Sequence, residues 1–337
     1  MMETNAGMDG AFGSALKKQI EEFQKFYCLS GVTSGTVDRI TWASLLSSKG
    51  ETSRAAKACD TSTVLNYAKA KSLYDAGYRY VGRYLSGTVG GKRSKAMTAE
   101  EIADIFKAGL RIFAIFQEGT PSLNRYTATV GKEEAQKAVM AARQLGIPEN
   151  AIIYFAIDYD VMDKDIERVK RYFEGIKRVI NRYGKYYRVG IYGARNVCTK
   201  ICESGLAESC FVSDMSTGFS GNLGYKIPKN WAFDQFHEYQ FSSLDGTFGL
   251  DKNGYSGQYS GFDTVTVDNQ MIPDISDEYR KKKASALLNT IGIPLPSNFQ
   301  WGNKWTIELP GAEVTICVYK SASKLPSTEG MLSFNIS

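Results

Sequence analysis

Carboxylates close one strand-like run after another along this chain. Asp60 follows Ala58-Cys59, and Glu118 follows Ile115-Phe116-Gln117. Asp158 and Asp160 end the run Tyr154 to Ile157, Asp214 follows Phe211-Val212-Ser213, and Asp268 follows Val265-Thr266-Val267. Residues two apart on a strand share a face, so Asp158 and Asp160 are expected to point together, above Ala156 and Tyr154. Converging carboxylates cost stability unless they share protons, bind a cation or accept donors from a ligand. Hydrolysis of a glycosidic bond needs such a set. One carboxyl must be protonated to serve the leaving oxygen, and another ionised to attack, activate water or face the developing cation. Crowding separates the two by pushing their pKa values apart.

Other side chains near the same strand ends suit a sugar. Tyr159 and Tyr192 offer rings, Arg83 a guanidinium, and Gln235 and Gln240 amides, though most of the 20 Tyr and 17 Phe must be packing. Two plainer readings compete. A strand-end Asp often caps the next helix, which suits Asp60 and Asp268, but Asp158 and Asp160 cannot both serve one helix start. Alternatively Asp158, Asp160, Asp163 and Asp165 supply only oxygen ligands, which would suit Ca²⁺ or Mg²⁺. The single histidine, His237, has no evident Ser or Cys partner, and the six scattered cysteines read as buried or free thiols. No cofactor and no metal are expected.

These residues need a scaffold that brings strand ends together. Strands are expected at 56–60, 78–85, 111–117, 152–160, 187–193, 210–215, 236–241 and 265–268. Helical patterns fall between most of them, at 64–76, 99–108, 133–145 and 163–183. Alternation of this kind predicts a parallel sheet with helical crossovers. Eight strands over about 220 residues fit a closed (β/α)8 TIM-type barrel, whose active sites lie at the C-terminal strand ends. An open doubly wound sheet is the alternative, but no Gly-x-Gly-x-x-Gly turn follows the first strand.

The α/β barrel is expected over 55–275. Before it, residues 1–50 read as a small helical module, with Leu16, Ile20, Phe23 and Phe26 at three- and four-residue steps and a short closing helix around Trp42. Residues 276–296 read as a linker or helix broken by Pro294 and Pro296. Residues 297–337 read as a small β-rich appendage with strands at 304–309, 313–320 and 333–336. A net charge of +5 without a basic stripe argues against a nucleic-acid partner. No apolar run approaches the roughly 20 residues of a membrane span, and no signal-peptide pattern opens the chain.

Two resemblances sharpen the reading. The Asp9-Gly10-x-Phe12-Gly13 turn, the Phe23-Gln24-x-Phe26 segment and the ending Thr41-Trp42-x-x-Leu45-Leu46 resemble the three-helix peptidoglycan-binding module. The barrel resembles a bacterial glycoside-hydrolase-like family, once a domain of unknown function and distantly similar to the family 25 muramidase lysozymes. The matching scheme is an Asp closing strand one (Asp60), a pair closing strand four (Asp158 and Asp160) and an Asp near strand eight (Asp268). The lysozymes place Glu where this chain has Asp160, so Glu118 is expected as proton donor, with Asp160 its competitor. The resemblance then implies that Asp158 stabilises the transition state and that Asp60 and Asp268 bind sugar hydroxyls and tune the others. Arg83, Tyr159, Tyr192, Asp214 and Gln240 are expected to bind substrate. The expected function is hydrolysis of peptidoglycan or a related amino-sugar glycan, outside the cell or at its wall, with a cytoplasmic location left open. The alternative is a wall-glycan-binding protein that keeps the cleft without turnover.

Overall fold

The structure, a computed structural model, describes residues 10–222, 224–266 and 289, and the backbone of three strands within 304–336. It divides into two compact units, Met1–Val267 and Asp268–Ser337.

The first unit is built on a closed eight-stranded barrel. Its strands are β1 (Ala58–Asp60), β2 (Tyr80–Tyr84), β5 (Arg111–Phe116), β6 (Ile152–Ala156), β7 (Arg188–Gly193), β8 (Ser209–Val212), β9 (Trp231–Ser243) and β10 (Gly246–Tyr255). A two-stranded ribbon, β3 (Thr88–Val89) and β4 (Arg93–Ser94), follows β2. The ring closes in the order β1-β10-β9-β8-β7-β6-β5-β2. All neighbours are parallel except β10, which runs antiparallel to both β1 and β9.

That exception corrects the expected eighth strand. The barrel is closed by Gly246–Tyr255, not by residues 265–268. Asp245-Gly246 makes a tight hairpin: Gly246 has φ +85° and Ser243 Oγ accepts from Asp245 N (3.1 Å). A hairpin leaves no length for the crossover that a parallel strand requires. Val265 and Thr266 lie outside any strand, with Thr266 N donating to Gly146 O (2.8 Å), and Asp268 lies outside the described residues.

Inside the barrel, Phe113, Tyr154, Phe211 and Phe233 form an aromatic plug with Ile115 and Ile152. Phe113 stacks on Phe233 at 3.8 Å between ring centroids. Two strand glycines make room for it. A Cβ on Gly82 would lie 2.5 Å from the Phe113 ring, and one on Gly190 2.5 Å from the Tyr154 ring.

Outside run α3 (Tyr67–Asp75), α4 (Ala99–Lys107), α5 (Ala128–Gln144), α6 (Ile166–Arg182) and α7 (Arg195–Glu203). Asn66, Thr98 and Thr127 cap the first three by accepting from the backbone N–H three residues on. In α6, Ile166, Val169, Phe173, Ile176 and Ile180 recur at three- and four-residue steps and are buried. Helices α5 and α6 touch backbone to backbone. A Cβ on Gly131 would fall 2.0 Å from Tyr172 O, and one on Gly175 2.2 Å from Ala128 O. Gly131→Ala must therefore push the helices apart, at an expected cost of about 1–3 kcal/mol. Urea denaturation checks this, and an unchanged midpoint would show that the crossing tolerates the methyl.

Among the described residues, no helix follows β8 or β9. The N-terminal segment, with helices α1 (Ser14–Phe26) and α2 (Arg39–Leu46), contacts that part of the wall through the end of α1 and the residues after α2. Gln24 holds the two together: its Nε2 donates to Thr33 O, Thr36 O and Thr41 Oγ1 (2.8–3.1 Å), and its Oε1 accepts from Gly35 N. Trp231 Nε1 donates to Phe26 O (3.2 Å), and Ser48 Oγ to Asp214 O (2.7 Å). Arg54 lies 3.4 Å from Asp234 Oδ2 and over the ring of Phe236.

The second unit contains β11 (Lys304–Leu309), β12 (Ala312–Val318) and β13 (Leu332–Ile336), an antiparallel sheet in that order.

Candidate active site

A cavity of about 230 Å³ opens among Asp60, Tyr84, Gln117, Asp158, Tyr192, Phe211, Gln235, Glu238 and Asp251, with Met215 and Ser216 also at its wall. Most of these residues sit at or just beyond the C-terminal ends of parallel strands. Glu238 and Asp251 come from the β9–β10 hairpin, where they are directly paired.

The carboxylates fall into two groups. On one side are Asp60 and Asp251, paired across the β1–β10 ladder. Gln235 Nε2 donates to both, at 2.9 Å to Asp60 Oδ1 and 3.2 Å to Asp251 Oδ2. Asn253 Nδ2 adds a donor to Asp60 (3.0 Å), and Tyr192 OH donates to Gln235 Oε1 (2.6 Å), which fixes the amide. Burial raises the pKa of both carboxyls. The charge of Asp60, and then of Glu238, pushes Asp251 further, whereas Asn253, Gln235 and the charge of Arg83 hold Asp60 back. Both carboxyls are therefore held above the ordinary carboxylate range, Asp251 the more strongly.

On the other side is Asp158. Strands β6 and β10 stand four places apart in the eight-strand ring, so Asp158 faces Asp251 across the barrel. Burial raises its pKa too, opposed by a hydrogen bond from Gln117 Nε2 (3.1 Å) and the charge of Lys95. The arrangement sets a buried carboxyl pair with raised pKa values on one wall and a hydrogen-bonded carboxylate on the other.

Of the residues expected from the sequence, Asp60, Asp158, Tyr192 and Gln235 meet at this cavity. The other described ones are elsewhere. Glu118 lies outside the lining and pairs with Lys137 Nζ (2.8 Å). Burial works to raise its pKa, but Lys137 and Arg125 hold it below the ordinary value, so it is a poor proton donor. Asp160 does not point with Asp158, because β6 ends at Ala156; it accepts from Ser220 N (2.8 Å) and Oγ (2.7 Å). Asp163 goes to Asn196 and Lys200, which disperses the proposed cation ligands. Among the described residues, no group of three or more His, Cys, Asp or Glu is arranged to hold a metal ion.

The expected binding residues also move. Arg83 is fully buried on the helix side of β2, where Nε and Nη2 grip Glu101 (2.6 and 3.1 Å). Asp214 is buried in a two-point pair with Arg195 (2.7 and 2.5 Å), outside the cavity. Tyr159 packs partly against the outer core. Gln240 is exposed, farther along the hairpin. Asp251 and Glu238 were not anticipated; the Asp245-Gly246 hairpin signal between two alternating runs was the clue that would have placed them.

Comparison with known proteins agrees with this fold. The chain is 41% identical over 292 residues to the uncharacterized protein YbfG of Bacillus subtilis, covering 84% of this chain and 39% of that one. It is 40% identical over 265 residues to FadG of the same organism, covering 78% and 46%. It thus spans less than half the length of these curated relatives. The crystal structure of the Tat-secreted protein Rv2525c of Mycobacterium tuberculosis has the same fold. That match has 20% identity and a TM-score of 0.51, and covers 61% of this chain and 98% of that one. Residues 4–45 match a peptidoglycan binding domain. Residues 71–280 match the Rv2525c-like, glycoside hydrolase-like domain, and the chain belongs to that family.

Proposed function

We propose that this protein hydrolyses peptidoglycan, or a related amino-sugar wall glycan, with Asp251 as proton donor and Asp158 as the opposing carboxylate. The observation that carries the reading is the buried Asp60–Asp251 pair, bridged by Gln235, across the barrel from Asp158. In this scheme the Asp251 carboxyl protonates the glycosidic oxygen as the C1–O bond breaks and its electron pair moves to that oxygen. Asp158 faces the positive charge that develops at C1, water supplies the new hydroxyl, and the proton that water loses returns to the Asp251 carboxylate. Asp60 and Gln235 hold the donor in place, and Tyr84 and Tyr192 offer ring surface to the sugar. The peptidoglycan binding domain match at the N-terminus supports the wall as the setting, and a wall substrate places the protein outside the cell.

Two titrations then bound activity. Falling pH protonates Asp158, and rising pH removes the proton from Asp251. Reducing-end release from purified sacculi is therefore expected to give a bell-shaped pH profile. A flat profile from pH 4 to 9 would count against this pair. Pelleting on sacculi without release would instead favour a protein that recognises the glycan without cleaving it.

A further inference from the structure

The two cavity glutamines are oriented differently. Gln235 takes its orientation from a neutral hydroxyl, Tyr192. Gln117 takes it from a charge. Lys95 Nζ donates to Gln117 Oε1 (2.8 Å), and Gln117 Nε2 donates to Asp158 Oδ2 (3.1 Å). An ammonium can only donate, so it dictates which end of the amide faces Asp158.

Lys95 is built into this position. It is 7% exposed and does not line the cavity. Its ammonium lies 4.0 Å from the centre of the Tyr84 ring, and the backbone carbonyl of Lys95 accepts from Arg83 Nη2 (3.2 Å). Its stem runs past Gly87, which has φ +95°. A Cβ there would lie 2.8 Å from Lys95 Cε and 2.7 Å from Gln117 O. A buried cation with one hydrogen-bond partner is costly. Burial, with the charge of Arg83, lowers its pKa to about 8 against the pull of Asp158, Glu118 and Asp60.

We propose that Lys95 is a positioning residue of this site, acting through Gln117 to keep the Asp158 carboxylate oriented and ionised. The role assigned to Asp158 rests on the function proposed above, but the relay is separable from turnover. The other groups whose charge state is coupled to Asp158 are Tyr84, Tyr126 and Tyr192, all with raised pKa values and neutral in the working range.

The test is titration of the Asp158 carboxyl by ¹³C NMR in the full chain, its resonance assigned through Asp158→Asn. Lys95→Met keeps the stem and removes the charge. It is expected to raise the proton affinity of Asp158 about tenfold, as loss of a nearby opposite charge does. Gln117→Leu removes the middle of the relay. In that background Lys95→Met should change the affinity by less than half as much on the logarithmic scale. An unchanged titration in Lys95→Met overturns the proposal. So does an effect half as large or more in the Gln117→Leu background, which would make Lys95 a through-space charge only. Turnover enters neither readout, so an inactive protein with this titration pattern would remove the hydrolase reading and keep the relay.

Discussion

Asp251→Asn is expected to lower glycan release by about 10²–10⁴-fold, the usual worth of a general acid, and to make the protein more stable. An Asn at 251 imitates the protonated carboxyl. Its amide can donate to Asp60 and its oxygen can still accept from Gln235, but it has no proton to give a leaving group. The stability gain follows from linkage. The folded pKa of Asp251 lies above its unfolded value, because burial and the charges of Asp60 and Glu238 disfavour the ionised form. Such a carboxyl costs nothing below the unfolded pKa and reduces stability as pH rises from there toward the folded value. The neutral replacement removes that cost, for a gain of about 1–2 kcal/mol at neutral pH, typical when a strained site is relieved. Urea denaturation at pH 4.5 and 7.5 should show the advantage of Asp251→Asn growing with pH. A variant that is active, or less stable than wild type at both values, would remove Asp251 from the donor role.

Asp214→Ala should do the reverse, with a loss of about 3–5 kcal/mol of stability, as when one partner of a buried pair is removed. Asp214 is fully buried and takes two hydrogen bonds from Arg195, the first residue of α7. Arg195 also donates to Ser48 O (3.2 Å) and Tyr225 O (2.9 Å), and beside the pair lies Asp234, whose pKa burial and the charge of Asp214 raise strongly. The cluster ties the N-terminal segment, α7 and the strand ends of β8 and β9 together. Truncation leaves the guanidinium buried with two carbonyls and the Tyr27 hydroxyl as partners. Below its melting temperature the variant should still cleave glycan at a near wild-type rate, because Asp214 does not line the cavity. Normal stability with lost cleavage would restore the substrate-binding role that its strand-end position suggested.

The barrel was legible because its parallel strands are buried on both faces and read as apolar runs, such as Arg111–Phe116 and Ile152–Ala156. The strand that carries Asp251 was not. Its inward side chains face a polar cavity rather than a core, so Gly249, Asp251, Asn253 and Gly254 read as loop. Asp158 was legible from its place at a strand end. Its separation from Asp160 was not, since the two-residue period holds only while the strand continues, and β6 stops at Ala156. Arg83 and Asp214 illustrate the opposite error: a charged residue near a strand end can face the helices and find its partner there, as these do in Glu101 and Arg195. Lys95 lay beyond sequence reasoning altogether, because only the loop around Gly87 brings it to Gln117.

The most direct test of the account is digestion of purified sacculi in H₂¹⁸O, with mass spectrometry of the released fragments. The account predicts one ¹⁸O atom at each new reducing end with the wild-type protein, and no such fragments with Asp251→Asn or Asp158→Asn. Pelleting of wild-type protein on the sacculi with no labelled ends, or labelled ends undiminished in both variants, would contradict it.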